Sequence, residues 1–135
     1  MAKKIDEIEG IGPVIAEKLA AAGVTTVEGL LEKGASKPGR MKLAADSGIE
    51  EVKILNWVNK ADLFRVKGIG PQFSELLEAA GVDTVKELRN RNAENLHAKL
   101  TEIQAEKNLT RAVPALSQVA EYIEFAKGLE PVVTY

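Results

Sequence analysis

The chain has no cysteine. That excludes disulfides and thiolate metal ligation. A single histidine, His97, stands alone, so neither a histidine-based metal set nor a serine–histidine–acid arrangement can be assembled. Aromatic residues make up only 4% of the 135 positions, too few for base stacking on single strands to dominate any binding. No apolar run approaches the roughly 20 residues of a membrane span. The opening Met1-Ala2-Lys3-Lys4-Ile5-Asp6 runs straight into charge and lacks the apolar stretch of a signal peptide. Basic excess is missing too: the net charge is −2, which weighs against strong non-specific nucleic-acid binding. These absences lead us to expect a cytoplasmic protein with no membrane contact, metal, cofactor or small-molecule substrate.

What is present is a repeat. Gly10-Ile11-Gly12-Pro13 recurs 58 positions later as Gly68-Ile69-Gly70-Pro71. Residues 8–30 and 66–88 agree at 13 of 23 positions, so the architecture is set by internal duplication. In the first copy Ile5 and Ile8 make an apolar turn ahead of the glycines. Pro13 suits a first helical position, where its missing N–H is not needed. Ile15, Leu19 and Ala22 then follow at helical spacing, and Gly23 stops the helix. Thr25 and Glu28 have capping-box spacing, which predicts a second helix from Thr26 to Gly34. Ser36 caps a third helix with Pro38 in its first turn. Residues 50–61 make a fourth, with Val52, Leu55 and Val58 turned inward and Ile54 and Trp57 as further core positions.

The second copy repeats this order from Asp62, with Leu63 and Val66 in place of Ile5 and Ile8, and Phe73, Leu77 and Ala80 on the helix face. Asp83 is expected to cap its second helix, Asn92 a longer third one carrying Leu96, Leu100 and Ile103 inward, and Ser117 the last, over 118–127. Leu109 aligns with Ile49 at an offset of 60, so two residues have been inserted. Lys127-Gly128-Leu129-Glu130-Pro131 reads as the start of a third copy that stops. The expected organisation is therefore 1–61, 62–127 and an extended tail over 128–135. A unit of about 58 residues buries little surface alone. The fold expected is all-α, two units of 58–60 residues sharing a core.

The stretch Ile8-Glu9-Gly10-Ile11-Gly12-Pro13, with Ala16, Leu19, Gly23, Val24, Thr26-Val27 and Leu30, resembles the helix-hairpin-helix of many DNA-repair proteins. Its Ala-Gly-Val-x-Thr-Val-x-x-Leu ending is similar to the N-terminal domains of archaeal recombinases and the C-terminal domain of the bacterial RNA polymerase alpha subunit. Nearly the whole chain resembles a family of small bacterial proteins of unassigned function built from two such SAM-like units. The resemblance implies contact with double-stranded DNA through hairpin backbone amides on phosphates, without sequence reading. It places that contact on Gly10, Ile11 and Gly12 and on Gly68, Ile69 and Gly70. Many such hairpins carry Lys or Arg beside the second glycine. Here the first turn has Glu7, Glu9 and Val14 instead, whereas Arg65, Lys67 and Gln72 flank the second. If one hairpin touches a backbone, charge along the sequence favours 67–72.

Two basic stretches reinforce that reading. Lys33, Lys37, Arg40 and Lys42 fall together without an acid, and Arg89, Arg91 and Lys99 stand against Glu94 alone. Both lie at the start of a third helix, where unpaired N–H groups also attract anions. Lys37, Arg40 and Arg91 are accordingly expected on a polyanion-facing edge. Other motifs fail on their own terms. Glycines 29 and 34 have the spacing of a nucleotide loop, but Ala35-Ser36 stands where Lys-Ser/Thr is required. Gly10-Ile11-Gly12 lacks the third glycine of a dinucleotide fingerprint, because Ile15 holds that place. No nucleophile or acid/base pair points to an enzyme. The expectation is a non-enzymatic module on nucleic-acid backbone. The alternative is a protein-interaction or scaffolding module, which better explains the acidic balance, Glu9 and the apolar tail.

Overall fold

The computed structural model describes residues 3–135. It is all-α: among the described residues there are eight α-helices and no strand, only an isolated bridge between Lys4 and Thr26. The order is a short 3-10 turn at Ile5–Glu7, then α1 (Pro13–Ala21), α2 (Val27–Gly34), α3 (Lys37–Ser47), α4 (Glu51–Leu63), α5 (Pro71–Ala79), α6 (Val85–Arg89), α7 (Ala93–Lys107) and α8 (Leu116–Lys127). None of the described helices is long and apolar enough to cross a membrane.

The chain divides into two compact units. One runs to Asp62 and includes Val132–Tyr135; the other is Leu63–Pro131. Each copy supplies enough apolar positions to close on itself. In the first unit α1 and α2 pack on α3, and Leu19, Val24, Leu30, Ile54 and Val58 are wholly buried. In the second, α5 packs on α7, and α6 and α7 pack on α8, around Val66, Leu76, Val82, Leu88 and Leu100.

Local rules explain the helix ends, with three one- or two-residue shifts from expectation. Thr26, not Thr25, caps α2: its hydroxyl accepts from the Gly29 amide at 2.9 Å. Thr84, not Asp83, does the same for α6 through the Glu87 amide at 3.3 Å. In both turns it is the threonine just before the helix whose Oγ1 meets the third amide beyond it. Helix α8 starts at Leu116, ahead of Ser117. Its cap, Ala115, has no side-chain acceptor, and Gln118 Oε1 instead reaches back to the Ala115 amide at 2.9 Å. Ser36 and Asn92 cap α3 and α7 as expected. Val52 is the misplaced core residue. It is 71% exposed, because the buried stripe of α4 follows Ile54, Trp57, Val58 and Ala61.

The tail does not simply trail off. The Thr134 amide donates to the Ala35 carbonyl at 2.7 Å, which seats the tail on the α2–α3 corner of the first unit.

Candidate functional site: the two glycine turns

Each Gly-Ile-Gly-Pro segment is a tight turn leading into a helix. The Ile11 amide donates to the Ile8 carbonyl at 3.1 Å, and Ile69 to Val66 at the same distance. Gly10 sits at φ +95° and Gly68 at φ +97°, a region that side-chain-bearing residues rarely enter. Both turns thus need glycine first. The second glycine is not required by the chain's own packing. A Cβ on Gly12 or Gly70 would meet nothing within 4 Å, so the backbone there faces open space.

The amides beyond the turn are open. Gly12, Val14 and Ile15 donate to no acceptor among the described residues, and neither do Gly70, Gln72 and Phe73. The first amides to close the helical ladder are Ala16 onto Gly12 and Ser74 onto Gly70, both at 2.9 Å. Each turn therefore offers a fan of free N–H groups at the positive end of a nine-residue helix. Such a fan is suited to an anion. Ile11 and Ile69 are corrections to the expected site: their amides are spent in closing the turns and their side chains are core, 5% and 1% exposed.

A ring from the last helix of each unit backs each first glycine. Trp57 Nε1 lies 3.3 Å from where a Cβ on Gly10 would stand; Tyr122 Cε1 lies 2.9 Å from that point on Gly68. The two aromatics occupy matching places, α4 and α8 being offset by 65 residues. Tyr122 Oη donates to the Gly68 carbonyl at 3.4 Å. Burial, with Glu121 second, raises the Tyr122 phenol above its ordinary pKa. Beside the first turn is a cleft of about 380 Å³, lined by Glu9, Gly10, Ile15, Lys53, Asn56, Trp57 and Lys60. Beside the second, a cleft of about 320 Å³ is lined by Lys67, Gly68, Gln118, Glu121, Tyr122 and Phe125. The lysines of α4 were not legible as site residues, since nothing in their spacing ties them to a turn some 45 positions earlier.

The basic edge resolves differently from expectation. Arg40 is buried, 1% exposed. Its Nη1 donates to the carbonyls of Gly34 (2.9 Å) and Ala35 (3.0 Å), its Nη2 to Thr134 (2.7 Å), and its Nε pairs with Glu51 Oε1 (3.2 Å). The guanidinium, planar and rich in donors, is consumed by the chain's own oxygens and is closed to a partner. The start of α3 is likewise partly filled, because Ser36 Oγ accepts from Gly39. Lys37 remains exposed. Arg91 is exposed but occupied: Nη2 donates to the Gly81 carbonyl at 3.1 Å and to Glu87 Oε2 at 3.3 Å. Lys33 makes the matching bond in the first unit, Nζ to the Gly23 carbonyl at 3.2 Å. These two cations cap helix ends. Arg65 is half-buried and engaged within the chain, while Lys67 and Gln72 are exposed beside the second turn.

No curated protein and no solved structure matches the chain. A family model does, over residues 9–129, from the cap of the first glycine turn to the end of α8 and just beyond. With that span covered, the chain belongs to the family described as Domain of unknown function (DUF4332).

Proposed function

We propose that this chain is a non-enzymatic helix-hairpin-helix module that contacts the phosphate backbone of double-stranded DNA without reading its sequence. The observation that carries the reading is the paired set of open amides: Gly12, Val14 and Ile15 in one unit, and Gly70, Gln72 and Phe73 in the other. None of the described residues satisfies these donors, and the side of the second glycine is open to an approaching group. A phosphate oxygen accepts from such amides irrespective of base identity. The acidic balance of the protein keeps the attraction local and weak, so binding belongs to low salt.

Fluorescence anisotropy with a labelled duplex tests this. Binding is expected at low salt, with similar affinity for unrelated sequences and a steep loss at physiological salt. Absence of binding at low salt, up to high micromolar protein, overturns it. A scaffolding role in the cytoplasm is the second reading. The observation in its favour is the occupation of Arg40 and Arg91 by the chain itself, which leaves fewer cations for a polyanion.

A further inference from the structure

The two turns share a backbone but not their surroundings, and one donor separates them. Trp57 is 7% exposed, and its indole N–H has no acceptor among the described residues. That nitrogen faces Gly10 and lines the first cleft. The nitrogen is not sealed in the core and can still take a partner. In the second unit the equivalent ring has one: the Tyr122 hydroxyl is used on Gly68.

Charge points the same way. Lys60 is also 7% exposed, and the one bond its ammonium makes is Nζ to the Glu9 carbonyl at 3.3 Å. It forms no ion pair with a carboxylate among the described residues. Lys53 lines the same cleft, and Glu9 is the acidic residue among its lining. At the matching positions of the second cleft stand Gln118 for Lys53, Glu121 for Asn56 and Phe125 for Lys60. Gln118 already caps α8, and Glu121 lines that cleft together with Lys67.

We infer that the cleft between the first glycine turn and α4 is a phosphate site, in which Trp57 Nε1, Lys60 and Lys53 join the free amide of Ile15, which lines the same cleft, as donors. The two hairpins are then unequal, and the first holds the backbone. This deepens the DNA-backbone reading and rests on it, and it reverses the preference for 67–72 that charge along the sequence suggests. Asn56 is held within the chain and is a wall of the cleft.

Trp57 is the protein's single tryptophan, so its emission reports on this cleft alone. The full-length chain is titrated at low salt with a labelled duplex, reading anisotropy and tryptophan emission together, and separately with inorganic phosphate. The expected result is a saturable emission change that tracks anisotropy. Lys53→Gln, on an exposed position, weakens duplex binding roughly fivefold or more and lowers the slope of log affinity against log salt by about one. Lys67→Gln changes affinity less than twofold, and Glu9→Gln tightens it. Duplex binding with unmoved emission, and with Lys53→Gln equal to wild type, overturns the inference and leaves the DNA reading standing. If no duplex binds, the DNA reading falls. The phosphate arm then decides the cleft: a saturable emission change lost in Lys53→Gln sustains a phosphate site served by another source, and no change removes it. Thermal melts of each variant, matched to wild type, keep a folding defect from passing as lost binding.

Discussion

Arg40 Nη2 donates to the carbonyl of Thr134 at 2.7 Å, a bond that spans 94 positions and ties the tail to the corner between α2 and α3. The same guanidinium stands 5.8 Å over the Tyr135 ring, and the Tyr135 hydroxyl reaches Asn59 Oδ1 at 3.5 Å. Arg40 is thus the hub of a polar cluster that holds carbonyls of Gly34, Ala35 and Thr134 and the Glu51 carboxylate. Arg40→Ala strands those acceptors in a buried place. The expected loss is about 3 kcal/mol, from several charge-assisted bonds and a broken buried pair. Urea unfolding measures it. A change under about 0.5 kcal/mol, the range of an ordinary surface substitution, contradicts the assignment of Arg40 as structural.

Gly34 marks a close approach between α2 and α4 in the first unit. A Cβ there would fall 2.5 Å from Val58 Cγ2, with Arg40 Cγ at 3.6 Å. Gly34→Ala gains helix propensity in α2 but forces α2 away from α4. Overpacking of this kind costs about 1–3 kcal/mol, more than the propensity gain of up to about 1 kcal/mol. A lowered melting temperature is expected. Gly12→Ala, where a Cβ meets nothing, is the control and leaves stability within about 1 kcal/mol of wild type. Equal melting of the two variants contradicts the packing described for α2 and α4.

Tyr122 links stability to pH. Burial holds its phenol neutral in the fold, and Glu121 adds to the effect, so its folded pKa lies above its unfolded one. A raised acid in the native state contributes stability that is complete below the unfolded value, about 10, and is lost as pH rises through the folded one. Stability should therefore fall more steeply above about pH 10 in wild type than in Tyr122→Phe. Tyr122→Phe also gives up the bond to the Gly68 carbonyl, at about 1 kcal/mol near neutrality. Parallel curves for the two proteins above pH 10 contradict this origin.

Much of the helix order was legible from single residues. Pro13 and Pro71 stand at first helical positions, Ser36 and Asn92 cap, and Gly10 and Gly68 turn the chain, because each of these depends on local backbone chemistry alone. What was not legible depends on residues far apart in sequence. Arg40 reads as a surface cation until Thr134 and Glu51 are placed around it. Arg91 and Lys33 read as a basic edge until each is found on a glycine carbonyl ten positions back. Trp57 and Lys60 look like plain α4 residues until the first turn lies beside them. Val52 was misread for a local reason: Val52, Leu55 and Val58 fit a helical stripe nearly as well as Ile54, Trp57, Val58 and Ala61, and only packing selects between them.

The central claim is that free amides of the glycine turns receive phosphate, and amide chemical-shift mapping tests it most directly. Uniformly 15N-labelled protein is titrated with an unlabelled duplex at low salt. The account predicts that Gly12, Val14 and Ile15 shift most, that Gly70, Gln72 and Phe73 shift less, and that Ile11 and Ile69, whose amides are already bonded to Ile8 and Val66, shift least among the turn residues. Shifts confined to other surfaces, or none at duplex concentrations that saturate anisotropy, would contradict it.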